Sequence, residues 1–446
     1  MNWISKKMTQ TQMIAVGYIC IILIGSLLLM LPVSSRTGQI TPFLDALFTA
    51  TSASCVTGLV VVDTWTHWSF CGQLIILILI QIGGMGFMTL GVYVAILLRR
   101  RIGLRVRGIL QESINNLQIG GIVRLAKRII QGMLIFEGIG AILLMVRFIP
   151  RFGLWRGIWY GIFHSVSAFC NGGFDLMGCT QPYQSLVEYA GDWLVNLVIM
   201  SLIVIGGIRF FVCDDIYEHR FKIRRYTLHT KIVLSCTLLL IFGGAVFFFF
   251  AEQGNTLAGK SLSEQIWCSL FQSVTARTAG FNTIDTGALT EGSKFVTILL
   301  MFIGGSPGST AGGIKTTTLV VLYVCVRANV RQEKGYNIFD RRLEDDAVRK
   351  ACTVAFTNLL LGIVATVILL TAQPFSLSDA MFEAISAIGT VGMTTGITRD
   401  VCAVSRIALI FLMYCGRIGS LTFALSLRGN KHEPPVKLPA QQIMIG

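Results

Sequence analysis

Ser165-Val-Ser-Ala-Phe-Cys-Asn-Gly-Gly-Phe174 is the stretch from which the rest of the chain can be read. An apolar, helix-competent approach stops there at paired glycines. Three other stretches have the same form: Ser52-Ala-Ser-Cys-Val-Thr-Gly-Leu59, Val274-Thr-Ala-Arg-Thr-Ala-Gly-Phe281 and Ser386-Ala-Ile-Gly-Thr-Val-Gly-Met393. Aligned without gaps they share Gly58, Gly173, Gly280 and Gly392, roughly 110 residues apart. Self-similarity at a fixed period marks one structural unit written several times.

Each copy lies between two long apolar runs and follows a short segment: Asp45–Ser54, Trp159–Phe169, Leu262–Ala276 and Ser378–Ile388. About ten helical residues rise about 15 Å, half of a ~30 Å hydrocarbon core. Each unit therefore reads as a span, a half-helix dipping in, an extended return and a second span. Irregular backbone is tolerated at membrane depth only inside protein or along a watery cavity. Four units around one axis would surround that cavity with backbone carbonyls, which can replace the hydration shell of a cation. The half-helices would point the negative ends of their dipoles at it. Taken singly, such a stretch also fits small-residue helix packing; the fourfold repetition favours the pore.

With 446 residues, 53% hydrophobic and 13% charged, the composition is that of a polytopic membrane protein. The expected fold class is all-α: four tandem span–pore-loop–span repeats around one pseudo-fourfold pore, with eight full spans and four half-helices. The units are 1–107, 108–225, 226–345 and 346–428, followed by a tail at 429–446. The net charge of +14 would raise nucleic acid in a soluble protein. Here topology accounts for it, and no nucleic-acid partner is expected. Basic clusters at Arg99–Arg107, Arg220–Lys231, Arg327–Lys350 and Arg428–Lys437 fall between units. That puts them, and both termini, on the cytoplasmic side of a cell membrane. Arg147, Arg151 and Arg156 break the pattern on the outer side. The twelve cysteines form no Cys-x-x-Cys pair, and Cys55 and Cys170 read as small packing residues behind the loops.

Within the spans a few polar residues stand out. Gly83, Gly84 and Gly86 interrupt the second span of unit one. Ile109–Arg128 reads as an amphipathic surface lead-in. Glu137 lies in the first span of unit two, and Arg209 is one candidate partner for it. The second span of unit three breaks at Gly304-Gly-Ser-Pro-Gly-Ser-Thr-Ala-Gly-Gly-Ile-Lys315, because proline lacks a donor and glycine favours open conformations. Arg417 sits mid-helix in unit four and should face the interior. Gly308 to Gly313 with a nearby lysine only partly matches a phosphate loop, since Ile314 intervenes and no strand precedes it. A serine protease reading finds no histidine partner in unit four. No enzyme is expected. A secondary transporter would need inverted repeats, whereas these units share one orientation.

The strings Thr275-Ala-Arg-Thr-Ala-Gly-Phe-Asn-Thr283 and Gly304-Gly-Ser-Pro-Gly-Ser-Thr-Ala-Gly-Gly-Ile-Lys-Thr316, set among four units, resemble the Trk/Ktr/HKT superfamily of cation transporters. The whole chain is most similar to the membrane subunit of bacterial Ktr systems. The resemblance implies potassium uptake, with K+ coordinated at Gly58, Gly173, Gly280 and Gly392. Val56 and Thr57, Asn171 and Gly172, Thr278 and Ala279, and Thr390 and Val391 complete the filter strands. Plant relatives with serine at the first glycine favour sodium, so Gly58 implies potassium; a sodium-permeable member and a sodium dependence both stay open. It further implies a gate made of Gly304, Gly305, Ser306, Pro307, Gly308, Gly312, Gly313 and Lys315 with Arg417. The remaining implications are a membrane homodimer and a cytoplasmic ring of nucleotide-binding regulatory subunits. This chain carries no nucleotide fingerprint, so nucleotide would act only through such a partner.

Overall fold

In a computed structural model, the structure describes residues 9–86, 122–208, 210–220, 222–309, 311–333, 335–420, 422–423 and 441. The Ile109–Arg128 lead-in up to residue 121, Arg209 and nearly all of the tail lie outside them. Among the described residues, four helices are long and apolar enough to cross a membrane: α1 (Gln10–Met30), α5 (Ile122–Phe152), α9 (Leu228–Ala251) and α13 (Asp345–Ala372). They contribute spans of 20, 27, 24 and 28 residues. Large apolar side chains stand outward on them, such as Leu239 (71% exposed) and Phe250 (69%), as a lipid-facing surface requires.

Each long helix is followed by a short one: α2 (Phe43–Cys55), α6 (Leu154–Phe169), α10 (Leu262–Thr275) and α14 (Leu377–Gly389). These have 13, 16, 14 and 13 residues; the first, second and fourth exceed the segments read from the sequence, and α10 matches its longer one to within a residue. The amino-terminal extension is largest in α6, which starts at Leu154 rather than Trp159. Ser261 and Ser376 cap α10 and α14, accepting from Glu264 N and Asp379 N. The carboxyl halves are continuously buried, from Ala46 to Cys55 in α2 apart from Leu47 and from Ala380 to Gly389 in α14 apart from Met381.

A helix then returns from each loop. After the single turn α3 (Thr64–His67) comes α4 (Phe70–Met85), and α7 (Trp193–Ile208) is followed by α8 (Phe210–His219). In the third unit the return is split into α11 (Glu291–Phe302) and α12 (Thr316–Val330). A two-residue hairpin, β1 (Asn337–Ile338) with β2 (Arg341–Arg342), precedes α13. The last return is α15 (Ala403–Ile418). At 16, 16, 12 and 16 residues, α4, α7, α11 and α15 rise at most about 24 Å, short of a full span as described. Gly83 and Gly84 do not interrupt α4; the helix runs through them and stops at Gly86, whose φ of 78° only glycine adopts freely.

Ion pairs tie neighbouring units together at the ends of these helices. Arg406 of α15 pairs with Asp45 of α2, and Lys294 of α11 reaches Asp379 of α14 at 3.1 Å. Glu252, just past α9, is a buried clamp. It accepts from Thr290 N and Oγ1 (3.0 and 2.7 Å), Thr256 Oγ1 (2.9 Å) and Asn255 Nδ2 (2.9 Å), fixing the start of α11. Burial opposes its charge, but donors from Ser293, Thr290 and Thr256 outweigh that and hold the carboxyl below the usual glutamate range. A depressed carboxyl pKa stabilises the fold above the unfolded value and loses that stabilisation as pH falls through the folded one. Glu252→Gln turns an amide donor toward these donors and should cost about 1–3 kcal/mol at neutral pH. Thermal unfolding of the solubilised protein should show this loss, and should show the variant less sensitive to acidification than the parent. Equal stability of the two at neutral pH would refute the clamp.

Candidate functional site

The four short helices end at one place, and their loops repeat one backbone pattern. A non-glycine residue with positive φ comes first: Val56 (56°), Asn171 (60°), Thr278 (76°) and Thr390 (48°). Two residues later comes the aligned glycine, again with positive φ: Gly58 (96°), Gly173 (68°), Gly280 (86°) and Gly392 (86°). Three of the four non-glycine positions are β-branched, which makes this conformation costly, about 1–3 kcal/mol each.

The glycines form a closed ring. A Cβ on Gly58 would lie 2.8 Å from Gly172 O, one on Gly173 2.8 Å from Ala279 O, and one on Gly280 2.7 Å from Val391 O. One on Gly392 would collide with Thr57 O and lie 2.7 Å from Gly58 Cα. The order of contact is thus unit one to two, two to three, three to four, and four back to one. The carbonyls of Thr57, Gly172, Ala279 and Val391 each abut a neighbouring glycine. Asn171 Nδ2 donates to Thr278 Oγ1 at 3.2 Å, linking two of the positive-φ residues.

Hydroxyls on the last helical turns hold these loops. Ser52 Oγ accepts from Gly58 N at 3.0 Å and Ser386 Oγ from Gly392 N at 3.1 Å. Ser167 Oγ donates to Phe174 O at 2.7 Å. In unit three the aligned residue is Val274, and Thr275 Oγ1 donates to Phe281 O at 2.5 Å instead. These residues are absent from the sequence-based site. The signal was nevertheless present, since Ser52-Ala53, Ser167-Ala168 and Ser386-Ala387 each stand six and five residues ahead of the glycine. Behind the loops, Gly83, Gly206 and Gly416 of the return helices press on the carbonyls of Ser54, Phe169 and Ile388, where a side chain would collide.

The break between α11 and α12 is a folded loop. Ile303 and Ile314 form a parallel bridge, with Gly304 N to Ile314 O at 2.8 Å and Ile314 N to Phe302 O at 3.1 Å. Ser306 donates through N and Oγ to Gly207 O (3.1 and 2.9 Å) and through Oγ to Ile208 O (2.7 Å), capping the end of α7. Gly312 N donates to Thr390 Oγ1 at 2.8 Å, Gly313 N to Ile388 O at 3.2 Å, and Lys315 Nζ to Ala311 O. Gly308 has φ of 76° and follows Pro307 at the loop tip. The loop is therefore attached directly to the unit-four positive-φ residue.

Arg417 donates to Gly83 O and, at 3.3 Å, to Tyr18 Oη. Both of these partners belong to unit one. A Cβ on Gly416, its neighbour, would sit 3.1 Å from Thr390 Cγ2, and one on Gly312 2.8 Å from the same atom. Thr390 is where the loop and the Arg417 helix meet. Glu137 is buried behind the second loop. It accepts from Gln81 Nε2 at 3.0 and 3.3 Å, and Cys170 Sγ lies 3.7 Å from Oε1.

A family model described as TrkH, cation transport protein, matches residues 4–433. The chain is 39% identical to the potassium/sodium uptake protein NtpJ of Enterococcus hirae, covering 99% of this chain and 98% of the relative. It is also 39% identical to the Ktr system potassium uptake protein B of Bacillus subtilis, covering 100% and 98%. The crystal structure of the potassium transporter TrkH from Vibrio parahaemolyticus shares the fold, with a TM-score of 0.70 at 19% identity over 93% of this chain and 85% of that one. With its matching family model, near full-length relatives and shared fold, the chain belongs to the TrkH family of cation transport proteins.

Proposed function

We propose that this chain is the ion-translocating subunit of a potassium uptake system. The observation that carries the reading is the closed ring of Gly58, Gly173, Gly280 and Gly392 with the carbonyls ahead of them. Four short helices end at that ring, so the partial negative charge of their carboxyl ends favours a cation there. Backbone carbonyls then stand in for its water shell. The membrane potential supplies about 2.3 kcal/mol per charge per 100 mV, enough to drive uptake without a nucleotide site in this chain. The names of the Bacillus and Vibrio relatives support potassium. A sodium-permeable reading stands second because the Enterococcus relative is named for both ions.

The finer architecture belongs to the same proposal. The units are 1–107, 108–225, 226–345 and 346–428, with eight spans, four half-helices and both termini in the cytoplasm. The partners are a second copy of the chain and a cytoplasmic nucleotide-binding ring, supported by relatives named as one protein of a Ktr system. Rubidium uptake by proteoliposomes of the purified chain tests the core claim, and no uptake driven by an imposed potential would sink it. Gly58→Ser should lower discrimination of potassium over sodium. Its φ of 96° is unfavourable for serine, and the new Cβ meets Gly172 O. Unchanged relative uptake of the two ions would remove Gly58 from the filter.

The loop from Gly304 to Lys315 is proposed as the gate, with Arg417, on the cytoplasmic side of the ring. Ser306 on α7 and Thr390 beside the ring are its latches, and Arg417 steadies α15 against unit one from the other side of Thr390. Thr390→Val keeps the branched shape and removes the acceptor for Gly312 N. It should raise ion flux several-fold in a folded protein, the gain from weakening one hydrogen bond of about 1 kcal/mol. Arg417→Ala should also raise flux. Patch or flux recordings in which both variants conduct less than the parent would make these residues part of the conduction path rather than the gate.

A further inference from the structure

Three arginines lie at the end of the bundle where topology predicts few. Two are answered locally: Arg147 pairs with Asp192 at 3.1 Å and Arg151 with Glu188. Arg156, in the first turn of α6, has no carboxylate in ion-pair reach among the described residues, and neither has Arg36 in the loop after α1. Both line one groove of about 400 Å³ between units one and two. The Arg36 guanidinium lies 3.9 Å from the centroid of Trp65 and that of Arg156 5.9 Å from the same ring. Two like charges are therefore gathered around one indole. Most of the remaining lining is apolar or aromatic: Trp155 is 82% exposed, Phe70 62%, and Trp159 packs on Phe70 at 4.7 Å between centroids. Gln73, at its base, is already committed, taking Trp159 Nε1 at 2.9 Å and giving Nε2 to Trp68 O at 3.1 Å.

We propose that this groove binds one anionic phospholipid, with its phosphodiester between Arg36 and Arg156 and an acyl chain along Trp155 and Trp159. Two guanidiniums held at one indole repel each other, and an anion reaching both would offset that repulsion. Guanidinium forks match phosphate oxygens, and indole rings suit the headgroup boundary. A zwitterionic lipid brings the same phosphate with a cation that the arginines disfavour. Trp65 sits on α3, whose amino cap Asp63 lies five residues beyond Gly58 and also accepts from Tyr183 N at 2.9 Å. The lipid would thus brace the outer continuation of the first loop. The inference rests on the chain lying in a bilayer and not on which ion it passes.

The test titrates the full detergent-solubilised chain with phosphatidylglycerol or phosphatidylcholine, each with brominated acyl chains, and reads tryptophan fluorescence. Two basic contacts predict half-quenching at a concentration roughly 30-fold lower for phosphatidylglycerol. The double variant Arg36→Gln, Arg156→Gln should lose that difference while unfolding at the parent temperature, and Arg36→Lys, Arg156→Lys should keep most of it. Equal half-quenching by the two lipids in the parent, or a preference surviving in a folded double Gln variant, would overturn the proposal. Loss of the preference in millimolar inorganic phosphate would assign the site to the free anion and overturn the lipid reading as well.

Discussion

Four missing Cβ atoms set the geometry of this protein. At Gly58, Gly173, Gly280 and Gly392 the backbone of one unit comes so close to a carbonyl of the next that any side chain would have to displace main chain. Such a contact has no flexible partner to yield, so it fixes the separation of four helix ends at once. The rest of the inner structure follows from reaching that separation. Helix carboxyl ends brought together in the interior leave carbonyls and amides to be satisfied, and Ser52, Ser167, Thr275 and Ser386 satisfy them from one or two turns back. Val56, Thr278 and Thr390 are held in a conformation that β-branched residues avoid, and complete burial of all three keeps them there.

The broken return of the third unit obeys the same accounting of donors and acceptors. A proline and five glycines between Gly304 and Gly313 cannot make a helical ladder. The loop instead places its donors on other units: Ser306 on the end of α7, Gly312 on Thr390, Gly313 on Ile388. Its conformation is consequently a property of three units together. Movement of any one of them is felt in the loop, and a displaced loop releases acceptors next to the ring.

The ring was legible in the sequence because glycine recurring at a period of roughly 110 residues, each time after the same small-residue approach, marks one unit repeated. The broken helix was legible from Pro307 and its flanking glycines. Helix lengths were less so. The Ser261 and Ser376 caps fix the starts of α10 and α14 to within a residue of the reading, whereas α6 begins five residues earlier, at Leu154, where no capping side chain marks it. The partner of Glu137 was hidden because a buried acid suggests a basic partner, and the residue that meets it, Gln81, is neutral and set in an apolar run. Arg417 was recognisable as an interior arginine, but a helix centre has acceptors on every side. Nothing local indicated that Gly83 and Tyr18, more than three hundred residues away, would take its donors. The one-residue offset of the Thr275 hydroxyl likewise shows only when carbonyl partners are known, since Val274 occupies the aligned place.

The direction in which the ring closes bears on how the chain is made. Contacts run from each unit to the next, but the fourth returns to the first, and α15 is stitched there by Arg406 to Asp45, Tyr414 to Ala15 and Arg417 to Gly83, at separations of 361, 399 and 334 residues. A chain emerging amino end first can dock units one, two and three as they appear, each by comparatively local contacts. It then waits with an open seam between Gly58 and Gly280 until the last helix is released. The longest-range closure among these contacts is therefore also the one that completes the ring. A truncated or stalled chain is left with its ring open, and quality control acting on that exposed seam would remove it.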